Sequence, residues 1–390
     1  MNKQILEYPL FALGFRAFFA LAGLFALILI ALWSSIYKGV LVTDNYYPTT
    51  YWHAHEMLLG YSVAVIAGFL LTAVQNWTGI KTLQGRKLFG LCLLWVYGRI
   101  VPFYSELIPD GIIALIDFSF LPTLAYFIAQ PIIKSGNLRN LFFVGLLLLM
   151  AFGNACIHAD ILGIYENSAG LGLDLVVAII IMMILVIAGR VFPFFTERGI
   201  KGVMAIRNPA LDGAAILSSA LVFILLIFDV TGIMLTITAV VAIIANVIRV
   251  SGWYDHRVLY VPLLWVLYLG YAWIILGLAF VALGSMNIMP VSVATHAFTV
   301  GGIGVLTLGM MARVSLGHTG RAMKASNTIA LAFVFINIAA LFRVLLPALL
   351  PDWYGNFLTL STYCWLAAFS LFVFIYTPIL SSVRVDGKEG

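Results

Sequence analysis

Two histidines and a glutamate stand at the start of an apolar segment, in the motif WHAHEM at residues 52–57. An ionisable side chain at the centre of a bilayer costs about 2.5 kcal/mol or more, so such groups persist there mainly when they have partners. The motif is not the HExxH of zinc proteases, because Leu59 stands where the second histidine is required. These residue types indicate a metal or cofactor site within a membrane.

The histidines of the chain are the first candidates for metal ligation. There are six in total, and the topology derived below places His53, His55, His158 and His296 near one face of the membrane. Imidazole is the commonest side-chain ligand for copper, zinc and haem iron. Each helical residue turns about 100°, so His53 and His55 point about 200° apart, which favours two neighbouring centres. For each histidine alone, the alternative is an interfacial side chain hydrogen-bonded to a neighbour.

Four carboxylates are candidates for proton relay near the same level. Glu56 lies one turn from His53 and is expected to orient it, to act as a ligand or to relay protons. Asp117, Asp160 and Asp174 lie in or beside neighbouring spans. Reduction of a bound substrate would require such a route for protons.

Two arginines are expected to contact a buried anion. Arg99 and Arg343 lie toward the same side of the membrane as the histidines. A planar guanidinium binds carboxylates with two parallel hydrogen bonds, so haem propionates are suitable partners. A protein carboxylate such as Glu106 is the simpler alternative.

The elements that must position these residues are membrane-spanning helices. Hydrophobic residues make up 63% of the 390 residues and charged residues 9%, against roughly 25% charged residues in soluble domains. Apolar runs of about 20 residues recur, as a hydrocarbon core about 30 Å thick requires. We expect an all-α bundle with residues 1–390 as one transmembrane domain. Its predicted spans are 15–36, 51–75, 86–104, 111–130, 140–161, 171–193, 209–228, 231–249, 258–283, 291–316, 326–349 and 356–380.

The distribution of charge orients this bundle. Lysine and arginine are concentrated at the termini and in the loops after even-numbered spans, whereas the loops after odd-numbered spans hold only Lys38 and several acidic residues. Basic loops stay cytoplasmic. Both termini are therefore predicted to be cytoplasmic, with the four histidines toward the outer face. The net charge of +5 is spread over loops, which gives no support for nucleic-acid binding.

The spacing of several residues suggests an internal repeat. The distance from His55 to the Thr-Gly pair at 78–79 equals the distance from His296 to the Thr-Gly pair at 319–320. Three four-helix units would explain this pattern. His55 and His296 would then occupy matching positions, which would suit two axial ligands of one haem. No CxxCH motif for covalent attachment is present, so such a haem would be held noncovalently.

Five blocks of sequence resemble the NnrS family of haem- and copper-containing membrane proteins. The family's first motif commonly has proline where this chain has Ala17, near the end of the bundle away from the histidines. The blocks lie at residues 14–19, 52–79, 189–196, 295–302 and 317–321.

The resemblance implies a bacterial inner-membrane protein linked to denitrification and to defence against nitric oxide, with bound haem and copper. Combined with the topology, it leads us to expect haem b on His55 and His296 and copper near His53 and His158. The expected partner is nitric oxide or a related small gas that enters through lipid, with an unidentified electron donor. The expected activity, if any, is that of a nitric oxide reductase-type oxidoreductase. A secondary transporter with repeated helices, or a metal sensor or store without turnover, is the alternative.

Overall fold

The computed structural model describes residues 8–388, and within that range the chain is helical, with no β-strand. Twelve helices between Gly14 and Ser381 are long and apolar enough to cross a membrane. The predicted polytopic all-α bundle and its number of spans are thereby confirmed. In chain order the helices are α1 (Gly14–Tyr37), α2 (Thr49–Thr78), α3 (Gly85–Tyr104), α4 (Asp110–Lys134), α5 (Leu138–Ile161), α6 (Ser168–Gly199), α7 (Pro209–Ile227), α8 (Ile233–Ser251), α9 (Pro262–Ser285), α10 (Val291–His318), α11 (Asn327–Leu349) and α12 (Pro351–Ser381).

Local sequence signals explain where several helices begin and end. The α2 helix ends at Gly79, whose left-handed backbone (φ 69°) closes the last turn. Pro209 opens α7 directly after Asn208, whose side chain accepts hydrogen bonds from two backbone N–H groups of the first turn. By contrast, α9 begins later than predicted because His256–Tyr260 forms a separate 3₁₀ turn. The apolar runs therefore locate the spans, while caps and turns set their ends.

Three of the helices contain π-helical turns. These turns cover Glu56–Ser62 in α2, Ala297–Gly304 in α10 and Leu341–Leu345 in α11. The first begins directly after His55 and the second directly after His296. A π-turn inserts an extra residue into a helix and is frequent at functional sites. His55 and His296 are therefore alike in being followed by a π-helical turn. The internal repeat itself stays a prediction.

The chain divides into two compact units. The first contains Met1–Val176, Met311–Met323 and Phe369–Gly390, and the second contains Val177–Met310 and Lys324–Ala368. His53, His55 and His158 belong to the first unit, whereas His296 belongs to the second. The prediction of one transmembrane domain is not tested by this division.

Candidate metal centre in the first unit

A buried cluster of three side chains, contributed by three helices, has the composition of a metal site. Within residues 8–388, His55, Asp117 and His158 offer ligand atoms that all lie within 4.8 Å of one another. Asp117 Oδ2 lies 3.1 Å from His55 Nε2 and 3.0 Å from His158 Nε2. All three residues are buried. Of the four histidines predicted to bind metal, the structure therefore brings together His55 and His158.

The central helix of the cluster is α4, which packs against α2, α3 and α5. Asp117 on α4 consequently faces His55 on α2 and His158 on α5. Gly98 of α3 leaves space for the carboxylate, since a Cβ atom at that position would lie 3.1 Å from Asp117 Oδ1. Glycine at this position therefore lets α3 and α4 approach closely beside the carboxylate.

The Nε2 atom of His55 has more oxygen neighbours than one nitrogen can use as hydrogen-bond partners. The Tyr47 hydroxyl, Asp117 Oδ2 and Asn154 Oδ1 each lie 3.1 Å from it. When the imidazole hydrogen is on Nδ1, the Nε2 lone pair faces Asp117 Oδ2 and Asn154 Oδ1, and neither of these oxygens can donate a hydrogen bond. A cation placed among these atoms removes the conflict. The 3.0–3.1 Å between Asp117 Oδ2 and the two imidazole nitrogens is the separation of atoms that contact one another directly, so an ion bound among them would move them slightly apart.

Two further side chains are placed to orient the imidazoles. Glu56 Oε1 lies 3.1 Å from His55 Nδ1, and the Tyr46 hydroxyl lies 3.0 Å from His158 Nδ1. Histidine ligands of metals almost always use their second nitrogen to contact a carboxylate, carbonyl or similar group, which fixes the tautomer. Both imidazoles therefore have the outer contacts typical of metal ligands.

Arg99 connects the two carboxylates of the site. Its guanidinium donates to Glu56 Oε2 at 3.0 Å and to Asp117 Oδ1. Arg99 thus contacts two buried protein carboxylates, and its predicted contact with a haem propionate stays a prediction. Glu106 was the wrong choice of carboxylate, because it is exposed in the segment between α3 and α4. With neutral imidazoles, two carboxylates and one guanidinium leave one net negative charge, which a cation would offset.

The two tyrosines of the site lie in the segment that precedes α2. The Tyr46 N–H donates to the Pro102 carbonyl at 2.8 Å, and the Tyr47 N–H donates to Asn45 Oδ1 at 2.9 Å. The Tyr47 ring stacks on His55, with 4.3 Å between ring centroids. Burial raises the pKa of both hydroxyls above the ordinary tyrosine value, so both are neutral at pH 7.

His53 contacts a different part of the first unit. Its ring stacks on Trp33 of α1, with 4.2 Å between the centroids and 10° between the planes. His53 is therefore outside the cluster that contains His55. The structure thus places His53 and His158, the two residues expected near copper, in different surroundings, and copper near His53 stays a prediction.

The four predicted relay carboxylates have distinct surroundings. Glu56 and Asp117 are part of the cluster. Asp160 accepts hydrogen bonds from the backbone N–H groups of Asn167 and Ala169, at 3.0 and 2.9 Å, at the start of α6. This is the geometry of a structural cap. Asp174 is exposed on α6. Proton relay by any of the four stays a prediction.

In the second unit, His296 pairs with Arg343. Its Nε2 lies 2.8 Å from Arg343 Nη2, and its Nδ1 lies 2.7 Å from the Ser292 carbonyl oxygen. A carbonyl only accepts, so Nδ1 carries the hydrogen and Nε2 accepts from the guanidinium. The Arg343 guanidinium also lies 5.7 Å from the centre of the Tyr354 ring. Shared haem ligation by His55 and His296 stays a prediction.

The free space beside the cluster suits an ion better than a macrocycle. A cavity of about 10 Å³ lies between Arg99, Asp117 and Asn154, which is room for about one water molecule. A porphyrin on His55 would have to displace the stacked Tyr47 ring and the oxygens around Nε2. The residues around His55, as packed, leave room for a metal ion, and the predicted haem ligation by His55 would require these residues to repack.

Three members of the site were not identified from the sequence: Tyr46, Tyr47 and Asn154. Asn154 offered a signal, because it lies four residues before His158 and therefore on the same helix face. The tyrosines offered none, because tyrosine is common at membrane interfaces without any role in ligation.

Comparison with known proteins places the chain in a family. None of the curated proteins searched matches it. The family described as NnrS protein matches residues 9–384, nearly the whole chain. The twelve apolar helices agree with the family's membrane character as expected from the sequence motifs. This multi-pass membrane protein therefore belongs to the NnrS family.

Proposed function

We propose that the protein holds one transition-metal ion at His55, Asp117 and His158 and uses it to handle nitric oxide in the bacterial inner membrane. The observation that carries the proposal is the crowding of oxygens around His55 Nε2, with three of them at 3.1 Å. A positive charge among these oxygens, buried within apolar helices, would balance them and the carboxylate that one of them belongs to.

The donor set limits the identity of the ion. Two imidazoles and one carboxylate suit copper(II), iron(II) or zinc, whereas calcium and magnesium prefer oxygen ligands alone. The family resemblance favours copper among these. A copper or iron ion would supply a centre that binds a diatomic gas and exchanges single electrons.

The protein residues have separate roles around that ion. Arg99 fixes the carboxylates of Glu56 and Asp117, and Glu56 in turn fixes the His55 ring. Asn154 donates to Asp117 Oδ2 at 2.8 Å and so holds the shared oxygen in place. The apolar helices around the site exclude water and charged solutes but admit a small neutral gas. This selectivity favours gas handling over transport of a polar solute.

Haem has no role in this proposal. The resemblance implies haem as well as copper, but the packing around His55 gives a porphyrin no space. We therefore assign the cluster to a metal ion, and haem b stays a prediction from the family resemblance.

The experiment is metal analysis of purified protein together with its response to nitric oxide. We expect about one copper or iron per wild-type chain, and a change in the electron paramagnetic resonance spectrum when nitric oxide is added anaerobically. His158→Ala, as purified, should hold much less metal and give a much weaker response, because one of the two imidazole ligands is lost. His256→Ala is the matched control, because the His256 side chain is 80% exposed, and it should retain both.

Two results would overturn the proposal. One is a folded wild-type protein that takes up no transition metal even after incubation with copper or iron. The other is full metal content in both His55→Ala and His158→Ala, since the ion would then lie elsewhere.

A further inference from the structure

The Tyr47 hydroxyl is one of the three oxygens that lie beside His55 Nε2. It lies 3.1 Å from Nε2, the same distance as the Asp117 carboxylate oxygen. Tyr47 is 1% exposed, and its ring stacks on the imidazole. The hydroxyl is therefore directed at one of the ligand atoms, His55 Nε2, where an ordinary interfacial tyrosine would direct it toward water.

The other candidate oxygen, that of Asn154, has a clear structural purpose. The Asn154 side chain donates from Nδ2 to Asp117 Oδ2 at 2.8 Å. That bond accounts for the conformation of the amide and makes Asn154 a positioning residue for the carboxylate. Within residues 8–388, the Tyr47 hydroxyl makes no such bond to Asp117 and contacts the His55 imidazole nitrogen.

We propose that Tyr47 is the fourth ligand of the metal centre and binds the ion through its phenolic oxygen. This inference rests on the proposed function. The set then consists of two imidazole nitrogens, one carboxylate oxygen and one phenolate oxygen. On binding, the metal–oxygen bond forms while the hydroxyl proton leaves to the buffer, and no electron is exchanged.

The charge of the buried site supports a phenolate. A divalent ion, the carboxylates of Glu56 and Asp117, and the Arg99 guanidinium together carry one positive charge. A phenolate brings the sum to zero. A neutral cluster is the arrangement that a low-dielectric interior favours, because an uncompensated buried charge is strongly destabilising.

The segment that carries Tyr47 is positioned for this task. Tyr46, its neighbour, donates from its backbone to Pro102 of α3 and places its hydroxyl at His158 Nδ1. Tyr46 thus contacts His158 from outside the ligand set, whereas Tyr47 contacts His55 from within the proposed ligand set. This difference supplies a matched pair of variants.

The test uses copper(II) alone, added to purified, metal-stripped protein. Phenolate bound to copper(II) gives a visible charge-transfer band, and resonance Raman excitation within it yields ring modes of tyrosine. We expect both signals in wild-type protein. Tyr47→Phe should retain a bound copper while losing the band and the ring modes. Tyr46→Phe should weaken copper binding about tenfold, as loss of an outer partner does, and keep the band.

The outcomes separate the two proposals. If wild-type protein binds no copper, the role of Tyr47 is overturned, and if it binds no iron either, the proposed function fails as well. If wild-type protein binds copper at His55 and His158 without the band, or if Tyr47→Phe keeps the band, only the role of Tyr47 is overturned. Phenylalanine preserves the ring stacking, and an unchanged elution volume in detergent checks that each variant is folded.

Discussion

At the scale of single residues, the site depends on one nitrogen atom and the oxygens around it. The prediction from sequence identified His55, His158, Glu56 and Asp117 because ionisable groups are rare in apolar spans. It did not identify which of these side chains contact one another. Assigning Asp117 to proton relay alone missed its central position, because one-dimensional spacing does not give the rotation of α4 relative to α2 and α5.

The first residue-scale prediction concerns the shared carboxylate. Asp117→Asn keeps the size of the side chain but removes the negative charge that lies 3.0–3.1 Å from both imidazole nitrogens. We expect copper affinity to fall by at least about 100-fold, because loss of a ligand exceeds the 10–100-fold effect of an outer partner. Competition with a chromogenic chelator measures the affinity. An affinity within about threefold of wild type would exclude Asp117 as a ligand.

The second residue-scale prediction concerns the outer carboxylate. Glu56→Gln should lower copper affinity about 10–100-fold without changing the number of ions bound at saturation, because Glu56 orients His55 and is not itself placed among the ligands. Glu106→Gln is the control, since Glu106 is exposed, and it should have no effect. Equal effects of the two substitutions would show that bulk negative charge, and not the contact with His55, determines the affinity.

At the scale of the helices, the hydrophobic pattern was sufficient to locate all twelve spans. It could not reveal the π-turns that follow His55 and His296, because an inserted residue leaves an apolar run apolar. Nor could it distinguish a glycine needed for packing from one that faces open space. Both distinctions depend on which side chains the neighbouring helices bring to the same position.

Gly60, within the π-turn of α2, provides the prediction for this scale. A Cβ atom there would lie 2.7 Å from Glu56 Oε2 and 2.9 Å from Arg99 Nη1. Gly60→Ala should therefore disturb the pair that holds His55 and weaken copper binding about tenfold or more. Gly90→Ala, where nothing lies within 4 Å, is the control in a neighbouring span. Normal copper affinity in Gly60→Ala would mean that the Glu56–Arg99 pair does not position the site.

At the scale of the whole molecule, composition and charge determined the class of protein. The family motifs, spread from the first span to the end of the tenth, agree with a match over residues 9–384. Composition could not determine the division into two units, which depends on contacts between distant parts of the sequence. The exact partner of each histidine depends on the same contacts.

Orientation in the membrane is the prediction for the whole molecule. In a background without native cysteines, Asp110→Cys should react with a membrane-impermeant thiol reagent in cells whose inner membrane is intact. Arg207→Cys should react only after that membrane is opened, because basic loops stay cytoplasmic. Labelling with the opposite pattern would place the metal cluster near the cytoplasmic face and reverse the predicted topology.

The most direct test of the metal centre is pulsed electron paramagnetic resonance on wild-type protein loaded with one equivalent of copper(II). We predict nitrogen couplings from two imidazoles in the wild type and from one in His158→Ala. Couplings that stay the same in both His158→Ala and His55→Ala would contradict the account, because the copper would then be bound away from these residues.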